Sequence, residues 1–368
     1  MATRSQLGRD ERTDGARPPA RVRGMTVGNV AYTVEFDART AYDFLVTLAI
    51  EKPEEQDLLA EDRRWLVNAR ASLSSDRRRD LQETFGDSPN AFGSAIGAMV
   101  VATPAARTAR EFVAALAVTD TRTIVREMLG EIVRDDEAKQ QLERILDGAT
   151  DEIQVFAART GEPYCTPTEA FLAAPAAGID RIRGLLGEWL APFEEVEPRV
   201  EEIIRRDLAL RQADRSLPVV ELVERATGGV RWLGEAGVAR VVLSPSYFAR
   251  PVNYLYSGLD WRLFAYPVAD AALETDDALA PPPAMIRLHR ALGDESRLRI
   301  LRLLRDRDMY LTELAQHLEV SKPTMSHHLT QLRAAGLVTV TQQGAQTYYS
   351  LRRDRLAETG DDLMRFLA

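Results

Sequence analysis

The sequence has little cysteine and histidine, and it lacks any long run of apolar residues. One cysteine among 368 residues excludes a disulfide-bonded scaffold and any thiolate zinc or iron–sulfur site within one chain. The longest uncharged stretch, residues 88–106, contains proline, asparagine and serine, so it is a poor candidate for a membrane span of ~20 apolar residues. Because the Arg-rich N-terminus also lacks the apolar core of a signal peptide, we expect a soluble cytoplasmic protein.

Histidine is confined to the C-terminal part of the chain, at His289, His317, His327 and His328. Residues 1–284 therefore cannot supply the base of a Ser–His–Asp or Cys–His catalytic site. The single cysteine, Cys165, lies in the turn-rich stretch GEPYCTPTE without a nearby cation or a second thiol, which favours a bystander role. We expect neither an enzyme nor a bound cofactor.

Charge is distributed unevenly along the chain. The net charge of −9 argues against nucleic acid as a first guess for the partner. Residues 285–368, however, hold 13 Lys and Arg against 10 Asp and Glu, whereas residues 1–284 hold 34 against 46. This asymmetry indicates a basic nucleic-acid-binding module joined to an acidic body.

Composition predicts four segments. Residues 1–24 include six arginines and indicate a disordered arm, with a basic arm that reaches DNA as the alternative. Residues 25–273 have the apolar periodicity of a folded effector or dimerisation domain. Residues 274–284 are acidic and then proline-rich, which is typical of a stiff linker. Residues 285–368 form the last domain.

The body is predicted to be α+β and mostly helical. Val27–Phe36 reads as a strand, and Asp37 is the expected N-cap of the helix that follows. Helical periodicity continues to about Ala226. Short β-branched and aromatic runs over residues 230–268 then predict a small antiparallel meander, with a hairpin at Ser257–Asp260.

The last segment predicts a winged helix-turn-helix. Asp294, Thr312 and Ser321 are expected to cap three successive helices. Gly336 follows the helix that begins after Ser321, at a position where a helix often ends in the left-handed conformation. Two alternating strands with Gly344 between them indicate a hairpin wing. The expected helices cover residues 285–292, 313–318, 322–335 and 353–367, with one more after Asp294 that buries apolar residues between Leu298 and Leu304. The expected strands cover residues 309–311, 337–342 and 346–351.

The second helix of such a pair fits the major groove of DNA and presents its exposed face to base edges. Met325, Leu329 and Leu332 form the expected buried stripe of this helix. Arg333, Arg352 and Arg353 are candidate phosphate contacts, although solvated surface residues remain the alternative for them and for the wing. The predicted DNA-binding residues are Ser321, Lys322, Pro323, Thr324, Ser326, His327, Thr330, Gln331, Arg333, Gln343, Gly344 and Arg352.

Three stretches of this module closely resemble the ArsR-like family of bacterial repressors: RLHRALGDESRLRILRLLRD, LTELAQHLEVSKPTMSHHLTQLRAAGLV and QQGAQTYYSL. The resemblance covers roughly Ile286–Arg355. It implies a homodimer that binds a palindromic operator and is released by an effector. It also implies that Ser321, Lys322, Thr324, Ser326 and His327 meet DNA, and that His328 packs inside.

The sequence departs from that family at both usual metal sites. The stretch MYLTELA contains no cysteine where metal-sensing members carry a cysteine pair, and the last helix, RDRLAETGDDLMRFLA, contains no histidine. We therefore expect no metal site. The longer layout, with VVLSPSYF and YLYSGLDWRLFAYPV before the module, resembles long ArsR-like regulators that carry an uncharacterised N-terminal domain.

Two hypotheses follow for the whole chain. The first is a dimeric transcriptional regulator, expected to be a repressor, that is controlled through its N-terminal domain and does not sense metal. Trp65, Trp189, Trp232 and Trp261 then either line an apolar effector pocket or, as we favour, pack in the core. The second hypothesis is a DNA-tethered module for protein interaction or dimerisation without a small-molecule effector.

Overall fold

The structure is a computed structural model that describes residues 20–21, 25–27, 30–86, 93–161, 164–273, 279, 281–343 and 346–368. Of the predicted arm, only Ala20–Arg21 lie within this range, where they form a two-residue strand. Most of the predicted linker (274–278 and 280) and Gly344 at the wing tip lie outside it.

The first part of the chain is mostly helical, which confirms the prediction for the body. Apolar residues that recur at helical spacing are buried, among them Ile124 and Met128 in one helix and Val200 and Ile203 in another. The body helices are α1 (Thr40–Ala49), α2 (Ala60–Ser72), α3 (Ser75–Phe85), α4 (Gly93–Ala102), α5 (Ala109–Val118), α6 (Thr121–Met128), α7 (Asp136–Leu146), α8 (Ile153–Ala157), α9 (Cys165–Ala173), α10 (Pro175–Glu194), α11 (Glu197–Leu210) and α12 (Val219–Ala226).

The start of α1 corrects one predicted cap. The N-cap residue is Arg39 rather than Asp37, and it makes no side-chain cap hydrogen bond. The Asp37 carboxylate instead accepts hydrogen bonds from the Arg39 guanidinium and from the Tyr42 hydroxyl, the latter at 2.7 Å. The Asp37 carboxylate is therefore engaged in a buried ion pair and does not cap α1.

The body sheet is mixed rather than antiparallel, which corrects the predicted meander. Its strand order is β1-β3-β5-β7-β6, with β2 paired to β3, and the pairs β3–β5 and β5–β7 are parallel. Residues 241–246 of β5 are all buried, and a strand covered on both faces has the continuous apolar pattern of a parallel sheet. The predicted hairpin is confirmed by the antiparallel β6–β7 pair. The strands are β1 (Ala20–Arg21), β2 (Met25–Val27), β3 (Val30–Phe36), β4 (Val230–Trp232), β5 (Arg240–Ser246), β6 (Tyr254–Ser257) and β7 (Trp261–Pro267).

The C-terminal module is a winged helix-turn-helix, as predicted. The Asp294 side chain caps α14 by accepting from the Arg297 amide at 2.9 Å. Thr312 is not a cap, because α15 begins one residue earlier, and Glu313 reaches back to the Tyr310 amide at 2.8 Å. The elements are α13 (Pro283–Leu292), α14 (Glu295–Leu304), β8 (Met309–Tyr310), α15 (Leu311–Leu318), α16 (Lys322–Ala334), β9 (Val338–Gln343), β10 (Gln346–Leu351) and α17 (Arg353–Leu367).

Strand β4 joins the wing rather than the body sheet. The second sheet has the order β4-β9-β10-β8, and β4 runs parallel to β9 with Trp232 opposite Gln342. The Trp232 side chain nevertheless packs in the body core, 5.7 Å from Phe264 between ring centroids. The body and the module are thus joined through a shared strand.

Three apolar cores hold these layers. The largest lies among the body helices and one face of the sheet and contains Trp189 and Trp261, with Trp65 packed against it. A second core lies between the other face of the sheet, α12 and β4, and contains Trp232. The third belongs to the module. Within the described part of the chain, no helix is long and apolar enough to cross a bilayer.

Candidate nucleic-acid interface

The turn between α15 and α16 sets the angle of the second helix. Glu319 adopts a left-handed conformation with φ 57°, which is uncommon for a residue other than glycine. The Val320 amide closes the turn by donating to the Ala315 carbonyl at 3.1 Å. Val320 is half-buried against the module core and holds the turn in place.

Ser321 caps α16, as predicted. Its hydroxyl oxygen accepts from the Thr324 amide at 3.2 Å and lies 2.8 Å from the Thr324 hydroxyl. Pro323 occupies the first turn, where its lack of an amide costs nothing. The cap therefore uses one of the early amides and proline removes another, so phosphate binding at this helix start depends on side chains more than on free amides.

The structure brings together the predicted residues of the first two turns of α16. Six of them are exposed on one surface, which we call the reading face: Ser321, Lys322, Pro323, Thr324, Ser326 and His327. Met325, Leu329 and Leu332 are buried on the opposite side, as predicted. Thr330 and Gln331 are half-buried farther along the helix. The reading face offers hydroxyl groups, one imidazole and one ammonium group, which suit base edges and phosphate oxygens.

The structure separates Arg333 from the reading face. The Arg333 guanidinium points toward the body and donates to the Thr227 carbonyl at 3.4 Å. Burial lowers its pKa from the usual value. Arg333 therefore stands apart from the reading face.

The remaining predicted contacts lie around the wing. Arg352 is half-buried and pairs with Asp354 at 3.4 Å, while its amide donates to the Leu337 carbonyl. Gln343 ends β9, but its side chain and Gly344 lie outside the described residues. Gln316 is exposed on α15, and its carbonyl accepts from the Glu319 amide in the turn before α16.

His328 lies behind the reading face. It is half-buried, and its Nδ1 atom has no hydrogen-bond partner among the described residues. Burial lowers the pKa of His328, although the nearby Asp294 carboxylate acts in the opposite direction. Neutral imidazole is therefore the favoured form, which suits a packing position. Among the described residues, no three His, Cys, Asp or Glu side chains come together as metal ligands.

Comparison with known proteins agrees with this geometry. The family described as "Bacterial regulatory protein, arsR family" matches residues 294–340, which contain α14, α15 and α16. The HTH-type transcriptional regulator CmtR of Mycobacterium tuberculosis is 42% identical over 82 residues, which are 22% of this chain and 70% of that protein. The chain belongs to the arsR family.

Two further relatives match this arsR-family module. The transcriptional repressor SdpR of Bacillus subtilis is 34% identical over 83 residues, 23% of this chain and 92% of that protein. The HTH-type transcriptional repressor SmtB of Mycobacterium tuberculosis is 37% identical over 94 residues, 24% of this chain and 70% of that protein. The resemblance inferred from the sequence is confirmed, and the chain is a DNA-binding transcriptional regulator whose family match covers only its C-terminal part.

Proposed function

We propose that this protein is a repressor that binds a two-fold symmetric operator as a homodimer and is controlled through its N-terminal domain rather than by a metal. The observation that carries the proposal is the reading face, which places Ser326 and His327 outward on a helix that is capped, buried on its other side and joined to a wing. Two relatives carry the word repressor in their names, which supports repression as the direction of control.

The last helix supports the homodimer. Four apolar side chains near the end of α17 are exposed to 36–67%: Leu363, Met364, Phe366 and Leu367. We call them the α17 patch. A second copy of the chain is the occupant we propose, because one patch can face its own copy across a two-fold axis. Such an axis would also place two reading faces on half-sites about 34 Å apart, one turn of DNA.

The shared β4–β9 ladder supports control through the N-terminal domain. Because β4 lies between the second body core and β9, a displacement of the body moves the wing. The sequence supports control without metal, because both usual metal positions lack cysteine and histidine. An effector must bind the DNA-competent and DNA-incompetent states with different affinities, since otherwise it shifts nothing.

The first test is fluorescence anisotropy of the full chain on DNA from upstream of its own gene, with competitor DNA and a salt series. A specific regulator binds this DNA despite competitor, and log affinity falls linearly with log salt concentration. The double variant Ser326→Ala with His327→Ala should lose about 1–3 kcal/mol for each base contact removed while it keeps its fold.

The control is Gln154→Ala, which removes an exposed polar side chain from α8 of the body and should leave DNA affinity unchanged. If the double variant keeps the sequence preference of the wild type, the reading face is wrong. A chelator should also leave the affinity unchanged, and a clear chelator effect would contradict control without metal.

A further inference from the structure

A cleft separates the body from α13 and α16 of the module. Its volume is about 180 Å³. The body contributes the segment before α2, the end of α11, the end of α12 with the turn after it, and the loops after β5 and β7, while the module contributes side chains from α13 and α16. We call it the interdomain cleft. Its charged lining consists of Asp57, Arg211, Arg225, Arg250 and Asp270 from the body and Arg287 and Arg333 from the module.

Four of these charges neutralise one another. Arg250 donates to Asp57 at 2.9 Å and to Asp270 at 2.7 Å. Arg287 donates to Asp270 at 2.8 Å and also pairs with Asp57. Two guanidinium groups and two carboxylates thus form a closed network that ties α13 to the body. Both carboxylates of the lining are used in this network.

Three arginines of the lining remain. Arg225 lies 3.3 Å from Asp214, a residue outside the lining. Arg211 lies 3.6 Å from both Asp207 and Asp214, and its buried Nε atom has no hydrogen-bond partner among the described residues. Asp207 is already engaged, since it accepts from the Tyr266 hydroxyl at 2.8 Å and the Ala269 amide at 2.7 Å.

Arg333 is the least compensated of the three. In the described part of the chain it pairs with no carboxylate, and its hydrogen bond to the Thr227 carbonyl is long, at 3.4 Å. That carbonyl also accepts from Asn253 at 3.0 Å. A guanidinium keeps its proton inside a protein, so the half-buried Arg333 loses solvation that no counter-ion replaces unless an anion joins it. Forked guanidinium groups suit carboxylate and phosphate oxygens in particular.

We propose that the interdomain cleft binds a small anion bearing a phosphate or carboxylate group, held by Arg211, Arg225 and Arg333, and that its occupancy changes the affinity of the protein for DNA. The cleft is smaller than the ~300–1,000 Å³ of sites for drug-sized ligands, so the anion is small. The proposal rests on the proposed function. Arg333 lies on the same helix as the reading face, so an anion bound by Arg333 and by arginines of the body connects the body to that helix.

The site itself is tested by calorimetric titration of the full chain with inorganic phosphate and with citrate, at ionic strength held constant with sodium chloride. We expect saturable binding of at least one of them, and binding at least about tenfold weaker in Arg333→Gln. The matched control is Arg64→Gln, which removes the same charge from an exposed position on α2 and should bind as the wild type does. Absence of saturable binding, or equal binding by wild type and Arg333→Gln, overturns the site.

The coupling is tested by DNA anisotropy with and without the anion that binds. We expect the wild-type affinity for DNA to change about fivefold or more, whereas that of Arg333→Gln does not respond to the anion. If the anion binds but leaves DNA affinity unchanged, the coupling is wrong. If Arg333→Gln instead weakens DNA binding without any anion and lowers the salt slope by about one, Arg333 is a DNA phosphate contact and the cleft proposal fails.

Failure of the proposed function gives a different result. Wild-type protein that binds its upstream DNA no better than random DNA would contradict the regulator, while the calorimetric result would still decide whether the cleft takes an anion. Anion binding in that case would support the site alone, whereas binding of neither DNA nor anion would favour an interaction module without a small-molecule effector.

Discussion

Asp43 shows how one buried carboxyl group joins a helix to the sheet. It lies on α1, is fully buried, and accepts from the Ser246 hydroxyl at 2.6 Å. It also accepts from the Phe248 amide at 2.8 Å and the Tyr247 amide at 3.2 Å. Burial raises the pKa of Asp43 from 3.8 to about 6, and these hydrogen bonds act against the rise without cancelling it.

This raised pKa predicts a specific dependence of stability on pH. Because folding favours the protonated carboxyl, its contribution is complete below the unfolded pKa of 3.8 and is lost as the pH rises through about 6. The free energy of unfolding of the wild type relative to Asp43→Asn should therefore fall by about 3 kcal/mol from low to neutral pH. Urea unfolding of both proteins between about pH 4.5 and pH 7.5 should show about 2 kcal/mol of this change, because the unfolded carboxyl is already mostly ionised at pH 4.5.

Subtracting the free energy of unfolding of Asp43→Asn from that of the wild type cancels the contributions of titratable groups that both proteins contain. Glu143 is one of them: hydrogen bonds from Arg126 and Arg122 lower its pKa to about 2, so its contribution has the opposite pH dependence. A difference between wild type and Asp43→Asn that rises with pH would show that folding lowers the pKa of Asp43 instead of raising it.

Single residues also show where sequence reasoning succeeds. Ser321 and Asp294 were predicted as caps and are caps, because each stands at the start of an isolated apolar period. Asp37 was predicted from the same kind of local pattern, yet its carboxylate is bound by Arg39, whose guanidinium also donates to the distant Thr103 carbonyl. An N-cap hydrogen bond contributes only about 1 kcal/mol to stability. A carboxylate near a helix start can therefore form a buried ion pair instead of capping the helix.

At the scale of elements, β4 has the largest consequence for the fold. It spans three residues and pairs with a strand about a hundred positions later in the chain. The Val340 amide donates to the Gly229 carbonyl at 2.7 Å, and the Leu233 amide donates to the Gln342 carbonyl at 2.9 Å. Every second residue of a strand forms backbone hydrogen bonds to its partner in a parallel pair. The residue between Gly229 and Leu233 that does so is Arg231, at the middle of β4.

Arg231→Pro should therefore uncouple the wing from the body. Proline removes the amide at the middle of the ladder, and we expect a loss of about 1–3 kcal/mol. Hydrogen exchange of the amides in β4 and β9 should accelerate, while that of α16 in the module core should change little.

Arg231→Ala is the matched control for this change. It keeps the amide and removes only a partly exposed ion pair with Glu224 at 3.2 Å, which contributes at most about 1 kcal/mol. Equal exchange rates in the proline and alanine variants would show that the ladder does not hold the wing.

The same contrast explains which elements the sequence could predict. The module was predicted nearly element by element, because its caps, apolar periods and Gly336, with φ 73°, are local signals. The order of the body sheet was not, because the parallel β3–β5 pair joins residues about two hundred positions apart. Nothing in the run from Val230 to Trp232 distinguishes a partner in the body from a partner in the wing.

At the scale of the whole molecule, the charge asymmetry gains a structural meaning. An acidic body and DNA repel each other, so the body must lie away from the duplex while the module approaches it. The α17 patch and the reading face lie on different helices of the module, which leaves both free to act in one assembly. A dimer would double the contacts with DNA without adding any new surface to the monomer.

We therefore expect a dimer that depends on the α17 patch. Sedimentation velocity of the wild-type chain should show a dimer, and Phe366→Glu should shift it toward monomer because a charge would then be buried at the two-fold axis. Affinity for a two-half-site operator should fall in this variant, while affinity for a single half-site should not. Val155→Glu provides the control, since Val155 is an exposed apolar residue of the body, at 64% exposure. A monomeric wild type, or a Phe366→Glu variant as dimeric as Val155→Glu, would contradict the α17 patch as the interface.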